Sequence, residues 1–249
     1  MATPWKLQDA TALVTGSSSG IGRAIAEALV AAGCKVIITG RRMPVLKALA
    51  DELGKAVHPV CLDMTDSDGI AGLPSQLPAD FQRPNILINN AAEDVGGRTR
   101  FDVSSAEDLA RVIETNLLGV IRMTRAIVPG MLERGAGDIL NIGSTNAMRP
   151  TPNMAVYTAS KAGVHGLTDV LRADYSKAGI RVMEITPGLT RTGFAQARMN
   201  GDAEKARTFF EQFPSTLKPE DVADAVLYAL SRPRHICVQQ VVVTPSFQW

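Results

Sequence analysis

Short apolar runs alternate with longer amphipathic segments along the whole 249-residue chain. Seven runs are rich in β-branched and aliphatic residues and predict strands at about 10–16, 35–40, 56–62, 85–91, 137–144, 180–185 and 237–243. Six segments have helical periodicity, at about 20–33, 43–53, 67–77, 105–133, 155–178 and 219–231. Apolar strands that alternate with helices predict an α/β fold, in which helices cover both faces of a doubly wound parallel sheet. With no linker or repeat, residues 1–249 are expected to form a single domain.

Two segments do not fit the alternation of strands and helices. Residues 93–104 follow the fourth strand, and residues 190–215 follow the sixth. Both begin at the carboxyl end of a strand, which is where open α/β sheets bind ligands. Long loops at such places often carry function, so residues 190–215 are predicted to form a substrate loop.

Charge and composition narrow the class of partner. The chain has 26 basic and 25 acidic residues, and this balance favours neither nucleic acid nor a membrane surface as a partner. It lacks a signal-sequence pattern and an apolar run of about 20 residues, so a cytoplasmic location is expected. Cys34, Cys61 and Cys237 lie in or beside apolar runs and are expected to be reduced core thiols. The histidines have no metal-ligand spacing, so no metal site is expected.

A glycine-rich turn, TGSSSGIG, connects the first strand to the first helix. Gly16, Gly20 and Gly22 permit a sharp turn and a close approach of the backbone to a pyrophosphate. The helix N-terminus adds unpaired N–H groups and the positive end of its dipole. Any tight strand-to-helix turn favours glycine, so the position after the first strand is what makes the pattern indicate a dinucleotide site.

The second strand ends at Thr39-Gly40-Arg41-Arg42. Sites for NAD usually have a carboxylate here to bind the ribose 2′-hydroxyl. This chain instead has a glycine and two guanidinium groups, which suit a 2′-phosphate. The pattern predicts NADP(H) over NAD(H), and the alternative is a solvated arginine pair at the start of the next helix.

Four polar residues are candidates for the chemistry. Tyr157 and Lys161, in YTASK, share one helix face, and an ammonium near a phenol lowers its pKa and makes it a better acid/base. Ser144 ends the fifth strand and is able either to bind a substrate oxygen or to cap a turn. Asn116 falls on the inward stripe of the predicted helix 105–133, where an amide needs partners. A structural and a functional role are equally open for it.

In order and approximate spacing, these residues resemble the short-chain dehydrogenase/reductase family. The resemblance rests on TGSSSGIG, Asp63, NNAA at 89–92, Asn116, Ser144, YTASK and PGLTRT at 187–192, and it covers essentially the whole chain. It implies a Rossmann-type sheet of seven strands, with Tyr157 as acid/base and Ser144 as the anchor of the substrate oxygen. It also implies that Lys161 holds the nicotinamide ribose and lowers the tyrosine pKa, and that Asn116 binds a water in a proton relay.

The same resemblance implies a set of cofactor-binding residues. These are Gly16, Ser18, Ser19, Gly20, Ile21, Gly22, Arg41, Arg42, Asp63, Met64, Asn90, Ala91, Ala92, Tyr157, Lys161, Pro187, Gly188, Thr190 and Thr192. Asp63 and Met64 would meet the adenine, Asn90 the adenosine ribose region, and the last four the nicotinamide side. The family usually has glycine where this chain has Ala92, and that change bears on cofactor geometry rather than on the fold.

The segments TRAIVPGMLERGAGDILNIGST and LKPEDVADAVLYALSRP are similar to those of bacterial NADP-dependent enzymes acting on 3-hydroxy acids such as serine, and of a related aldehyde-reducing branch. The main hypothesis is an NADP(H)-dependent oxidoreductase acting on a small carbonyl or alcohol substrate, with a hydroxy acid and an aldehyde as the candidate classes. The alternative is a non-catalytic NADP(H)-sensing protein on the same fold.

Two further expectations concern partners. The family resemblance and the small residues Ala159, Ser160, Ala162 and Gly163 predict a homo-oligomer, most simply a tetramer. Four loop arginines near the expected pocket are candidate ligands for a substrate carboxylate, with solvation as the alternative. They are Arg98, Arg100, Arg149 and Arg191.

Overall fold

The computed structural model describes residues 7–8, 10–199 and 201–248. Its seven strands are β1 (Thr11–Val14), β2 (Lys35–Gly40), β3 (Val57–Cys61), β4 (Ile86–Asn89), β5 (Gly137–Ile142), β6 (Ile180–Pro187) and β7 (Gln240–Val243). All are parallel, in the order β3-β2-β1-β4-β5-β6-β7. The order reverses between β1 and β4, and the crevice at such a switch point is where this architecture binds ligands. The predicted seven-stranded, doubly wound parallel sheet is confirmed.

Helices cover both faces of the sheet. In the described part of the chain they are α1 (Gly20–Ala31), α2 (Met43–Leu53), α3 (Ser67–Gln76), α4 (Ala106–Ile113), α5 (Gly119–Arg134), α6 (Ala155–Tyr175), α7 (Gly193–Arg198), α8 (Ala203–Glu211) and α9 (Pro219–Leu230). Because successive strand side chains point to opposite faces, Val14 packs in a core with α1 and α9, whereas Leu13 packs in another with α3 and α5. Both faces are apolar, which explains why the strands are continuous hydrophobic runs.

Three segments differ from their predicted forms. The predicted helix 105–133 is two helices, α4 and α5, joined by a π-helical turn at Glu114–Leu118. The apolar periodicity continues through this turn, so the sequence indicates one helix. The long helix α6 ends at Tyr175, and a short 3-10 turn and Gly179, with φ of 74°, follow it. The predicted loop 190–215 contains the helices α7 and α8.

The cysteine prediction is correct for one residue of three. Cys34 is buried, Cys237 is partly buried, and Cys61 is exposed, and all three thiols are free. No group of histidine, cysteine, aspartate and glutamate in the described residues is arranged to hold a metal ion. Within the same residues, no helix has the length and apolarity to cross a membrane.

Candidate active site

A cavity of about 950 Å³ opens at the carboxyl ends of the strands. Its walls come from the turn after β1, the ends of β2 to β6, and the helices α7 and α8. Every residue predicted to bind the cofactor lines this cavity. The topology therefore brings together residues that are spread from position 16 to position 192 in the sequence.

The glycine turn and the end of β4 form one rigid unit. Gly16 has a left-handed backbone (φ of 69°), and a Cβ on Gly22 would lie 2.3 Å from the Gly16 carbonyl oxygen. The Asn90 side-chain amide donates to the Thr15 carbonyl oxygen at 2.8 Å and to that of Gly16 at 3.2 Å. The Thr15 hydroxyl in turn accepts from the backbone N–H groups of Asn90 and Ala91, both at 3.0 Å. Asn90 thus fixes the turn on which a pyrophosphate would rest.

The cavity has the features that a dinucleotide phosphate requires. Helix α1 begins after Ser19, which makes no side-chain capping hydrogen bond, so the first-turn N–H groups remain available to an anion. Gly40 leaves space beside Ser18, and the Arg42 guanidinium donates to the Ser18 hydroxyl at 3.0 Å. Arg41 precedes Arg42 in the chain, and its side chain is half exposed at the cavity edge. These residues fit a nucleotide with a 2′-phosphate.

Glu93 is a residue of this wall that sequence reasoning missed. Its carboxylate accepts from Arg111 Nε at 2.8 Å and from the Thr115 hydroxyl at 2.7 Å, and it lies 3.5 Å from Arg41 Nη1. The carboxylate therefore holds Arg41 at the cavity edge. No local motif marks Glu93, because its partners come from β2 and from the α4 region.

Ala92 fits without backbone strain. In the described residues, the non-glycine positions with positive φ are Arg83 and Asn153, so Ala92 does not adopt the conformation that would require glycine. It lines the cavity between β4 and the following loop. The departure from the usual family pattern therefore leaves the local backbone in an ordinary conformation.

Tyr157 is buried near the start of α6, and its ring packs 5.9 Å from that of Phe194 on α7. Ser144 lies near enough to the Tyr157 hydroxyl to lower its pKa. The Ser144 hydroxyl also accepts from the Asn146 N–H at 3.2 Å. Ser144 therefore caps a turn beside Tyr157, and its binding of a substrate oxygen stays a prediction.

Lys161 lies one helical turn beyond Tyr157, and its ammonium donates to the Ile142 carbonyl oxygen at 2.8 Å. Burial lowers the pKa of Lys161 to about 8, against the opposing charge of Glu184. The pKa of Tyr157 is raised by burial, and the Arg198 charge and the nearby Ser144 side chain oppose that rise. The predicted lowering of the Tyr157 pKa by Lys161 is therefore not found in the protein alone. The Lys161 ammonium donates to the main chain of β5. The cation that lowers the pKa of Tyr157 is Arg198.

Asn116 lies in the π-helical turn and is completely buried. Its amide nitrogen donates to the Glu93 carbonyl oxygen at 2.9 Å and to the Ser160 hydroxyl at 3.2 Å, and its oxygen accepts from the Glu93 N–H at 2.8 Å. Both amide hydrogens are thus engaged. The side chain ties the segment after β4 to α6, which supports the structural role that the sequence left open.

The substrate side of the cavity contains an ion pair that the sequence did not indicate. Arg198 Nε, at the end of α7, lies 2.7 Å from Asp94 Oδ2, and the two side chains are 13% and 5% exposed. The Arg198 guanidinium carbon is 5.6 Å from the centre of the Tyr157 ring and 5.2 Å from that of Phe194. Burial raises the pKa of Asp94, and Arg198 opposes that rise. The pair joins distant parts of the chain, so no motif reveals it.

The four arginines singled out from the sequence separate into two groups. Arg98 lines the cavity, with its guanidinium 5.1 Å from the centre of the Phe209 ring. Arg100 is exposed and pairs with Asp102, and Arg191 is exposed over the Phe210 ring. Arg149 is exposed as well. Of the four, Arg98 is the one placed to meet a ligand in the cavity.

A doubly wound parallel sheet that joins a glycine cradle to a buried tyrosine, serine and lysine defines a dinucleotide-dependent class of protein. The model of the short chain dehydrogenase family matches residues 10–203. The chain belongs to the short-chain dehydrogenase/reductase family, a family of oxidoreductases. The resemblance seen in its motifs is thereby confirmed.

Named relatives match over nearly the whole chain. The NADP-dependent 3-hydroxy acid dehydrogenase of Salmonella typhi is 40% identical over 237 residues, which are 95% of each chain. Sulfoacetaldehyde reductase 2 of Chromohalobacter salexigens is 37% identical over 239 residues, covering 95% of this chain and 94% of that protein. The closed form of serine dehydrogenase complexed with NADP+ has a TM-score of 0.93 at 38% identity and covers 96% of both chains.

Proposed function

We propose that this protein is an NADP(H)-dependent oxidoreductase that transfers a hydride between the nicotinamide and a small hydroxy acid or aldehyde. The observation that carries the proposal is one cavity lined by the glycine cradle, by Arg41 and Arg42, and by Tyr157 with Lys161. The relatives support it, since one is named NADP-dependent and acts on 3-hydroxy acids, and another reduces an aldehyde.

In the proposed mechanism, Tyr157 exchanges the proton and Ser144 holds the reacting oxygen. During reduction the Tyr157 hydroxyl donates to the carbonyl oxygen, and during oxidation it accepts the proton back. Ser144 donates a hydrogen bond to that oxygen, where negative charge develops in the transition state. Burial keeps Tyr157 protonated, which suits the acid role in reduction. Bound NADP(H) would supply or accept the hydride.

Lys161 and Asn116 are buried next to the segments that carry Tyr157 and Ser144. The Lys161 ammonium is buried beneath Tyr157 and is charged below a pKa of about 8, so at neutral pH it is able to hold the ribose hydroxyls of the nucleotide. Asn116 has both amide hydrogens engaged, so in the protein alone they are not free to bind a water in a proton relay. Phe194 covers Tyr157 and limits the access of water.

The experiment that tests the proposal measures NADPH oxidation with a panel of small aldehydes and NADP+ reduction with 3-hydroxy acids. The enzyme hypothesis expects turnover with members of both panels, and faster turnover at limiting NADPH than at limiting NADH. The alternative of a non-catalytic NADP(H)-sensing protein expects tight NADPH binding without turnover. Binding measured by the fluorescence of NADPH separates a sensor from a protein that does not bind the cofactor.

We also propose that the protein is a cytoplasmic homotetramer in which residues 190–215 serve as the substrate loop of a single domain. An exposed face of α6 supports association, because its residues are small or apolar. They are Ala155, Ala159, Ala162, Gly166 and Val170. Ser160 and Gly163, predicted from the sequence to face a partner, instead contact Asn116 and Leu117 of their own chain. Sedimentation of the protein at micromolar concentration tests the association, and a monomer would contradict it.

A further inference from the structure

Two guanidinium groups lie near each other on the substrate side of the cavity. Arg198 lies over Tyr157, and Arg98 lies over Phe209 at the cavity wall. The pKa of Arg98 is lowered by partial burial and then by the positive charge of Arg198, while Asp94 opposes that fall. The segments that carry the two arginines also touch, because a Cβ on Gly97 would lie 2.9 Å from Arg198 Cγ. Arg198 is 13% exposed, whereas Arg98 is exposed at the cavity wall.

The positive charge of this cluster exceeds its negative charge. Asp94 is the carboxylate that faces both arginines, and it is paired at 2.7 Å with Arg198. The adjacent Glu93 is engaged by Arg111, Thr115 and Arg41 at the nucleotide side. Two guanidinium groups thus share one carboxylate, and one further anion would balance the cluster.

Arg198 also has hydrogen-bonding capacity that the protein does not use. Although Arg198 Nε and Asp94 Oδ2 are close, neither buried atom has an aligned hydrogen-bond partner in the described residues. Arg198 also lies over the rings of Tyr157 and Phe194, which do not occupy its N–H groups in aligned hydrogen bonds. A planar guanidinium with unused N–H groups binds carboxylate-type anions well, and the apolar surroundings strengthen such a contact.

We propose that Arg198 and Arg98 form an anion subsite, which selects substrates that carry a carboxylate or sulfonate close to the reacting alcohol or aldehyde. The inference rests on the proposed function and adds the substrate's required charge. Arg198 is the primary ligand, because its guanidinium lies 5.6 Å from the Tyr157 ring centre, within reach of a substrate whose oxygen meets the tyrosine hydroxyl. Arg98 is the second ligand, and Asp94 orients Arg198.

The test compares an acid with its neutral isostere. The substrates are 3-hydroxypropionate and 3-hydroxypropanamide, each oxidised with NADP+ by the full-length protein. The wild type should prefer the acid, and Arg198→Gln should lower kcat/KM for the acid by about tenfold to a hundredfold, the range for a charged hydrogen bond. The amide should lose far less, so the preference should collapse. Arg98→Gln should act in the same direction with a smaller effect.

Matched controls come from the same two segments. Arg191 precedes α7, and Arg100 lies on the same loop as Arg98. Both residues are exposed and lie outside the cavity lining. The control variants are Arg191→Gln and Arg100→Gln. Neither variant should change the preference for the acid. Asp94→Asn keeps both guanidinium groups, so it should retain the preference even if its overall rate falls.

A purely structural role of Arg198 gives different results. If Arg198 only fastens α7 to the loop after β4, then Arg198→Gln will slow both substrates equally, and the inference is wrong. Equal use of the acid and the amide by the wild type also overturns it. Those outcomes leave the proposed function intact as long as aldehydes are reduced with NADPH. Absence of any turnover, with NADPH still bound, overturns the proposed function itself.

Discussion

The two ends of the cavity differ in whether the main chain or the side chains form the site. At the nucleotide end, the main chain forms most of the site. Glycines approach one another closely, and the side chains of Asn90 and Thr15 hydrogen-bond to main-chain groups. At the substrate end, charged side chains line the cavity, and among them Asp94 and Arg198 form an ion pair. A backbone cradle tolerates little change in volume, whereas a side-chain cluster tolerates changes of volume but not of charge. The two ends should therefore fail in different ways when mutated.

The largest effect is expected at the substrate end, from Tyr157→Phe. The change removes the transferable proton and leaves the ring packed against Phe194, so kcat should fall by roughly 10² to 10⁴. NADPH affinity and the melting temperature should stay near their wild-type values, because the cradle is untouched. Steady-state kinetics, NADPH fluorescence titration and thermal unfolding check the three quantities. Near-normal turnover by a folded variant that binds NADPH would contradict the role of Tyr157.

The next effect is expected at the nucleotide end, from Gly22→Ala. The new methyl group would lie 2.3 Å from the Gly16 carbonyl oxygen and 2.4 Å from the Asn90 amide nitrogen, so the turn must shift. Overpacking of this kind costs about 1 to 3 kcal/mol. We expect a lower free energy of unfolding together with weaker NADPH binding, measured by denaturant titration and by fluorescence.

The control for this change is Gly130→Ala in α5. A Cβ at Gly130 would meet only the flexible end of Arg134, at 3.5 Å, so the helix should gain up to about 1 kcal/mol without any change in NADPH binding. If Gly22→Ala behaves like Gly130→Ala, the glycine turn is not the rigid cradle described above.

The same contrast explains how much the sequence could predict. The glycines, Asn90 and the alternation of strands with helices are visible in local patterns, because each pattern reflects the conformation of its own segment. The ion pair of Asp94 and Arg198 has no such pattern, since it depends on how two loops meet after the sheet has formed. The same applies to the arginines: Arg98 and Arg100 are both exposed, and only the finished fold places Arg98 in the cavity lining and Arg100 beside Asp102. The π-helical turn around Asn116 was missed because its inward side chains continue the helical periodicity.

A smaller effect is expected from Arg41→Asp, which tests the recognition of the 2′-phosphate. The change removes one of two guanidinium groups and adds a negative charge beside Glu93, 3.5 Å from the present Arg41 Nη1. The ratio of kcat/KM for NADPH to that for NADH should fall by about tenfold to a hundredfold. Arg125→Asp, at an exposed position on α5 outside the cavity lining, is the matched control and should leave the ratio unchanged. An unchanged ratio in Arg41→Asp would assign the selectivity to other residues.

The smallest effect is expected behind the catalytic centre, at Glu184 on β6. Its carboxylate is 1% exposed, accepts from the Thr186 hydroxyl at 3.0 Å, and lies 2.7 Å from His165 Nδ1. His165 Nε2 lies in turn 3.8 Å from Asp169. The Glu184 charge raises the pKa of Lys161, against burial, which lowers it to about 8. Glu184 therefore helps to keep Lys161 charged at neutral pH.

Glu184→Gln should lower the pKa of Lys161 further, because it removes the opposing charge but keeps a polar side chain for Thr186 and His165. Lysine is charged below its pKa, so its charge is lost as pH rises through that value, and a lower pKa moves the loss to lower pH. The alkaline limb of NADPH binding should shift toward neutrality, by less than about one pH unit. Fluorescence titration of NADPH binding between pH 6 and about 9 measures the shift. Asp169→Asn, the more distant exposed carboxylate, should leave the limb in place. A limb that stays fixed or moves to higher pH in Glu184→Gln would show that Glu184 does not support the charge of Lys161.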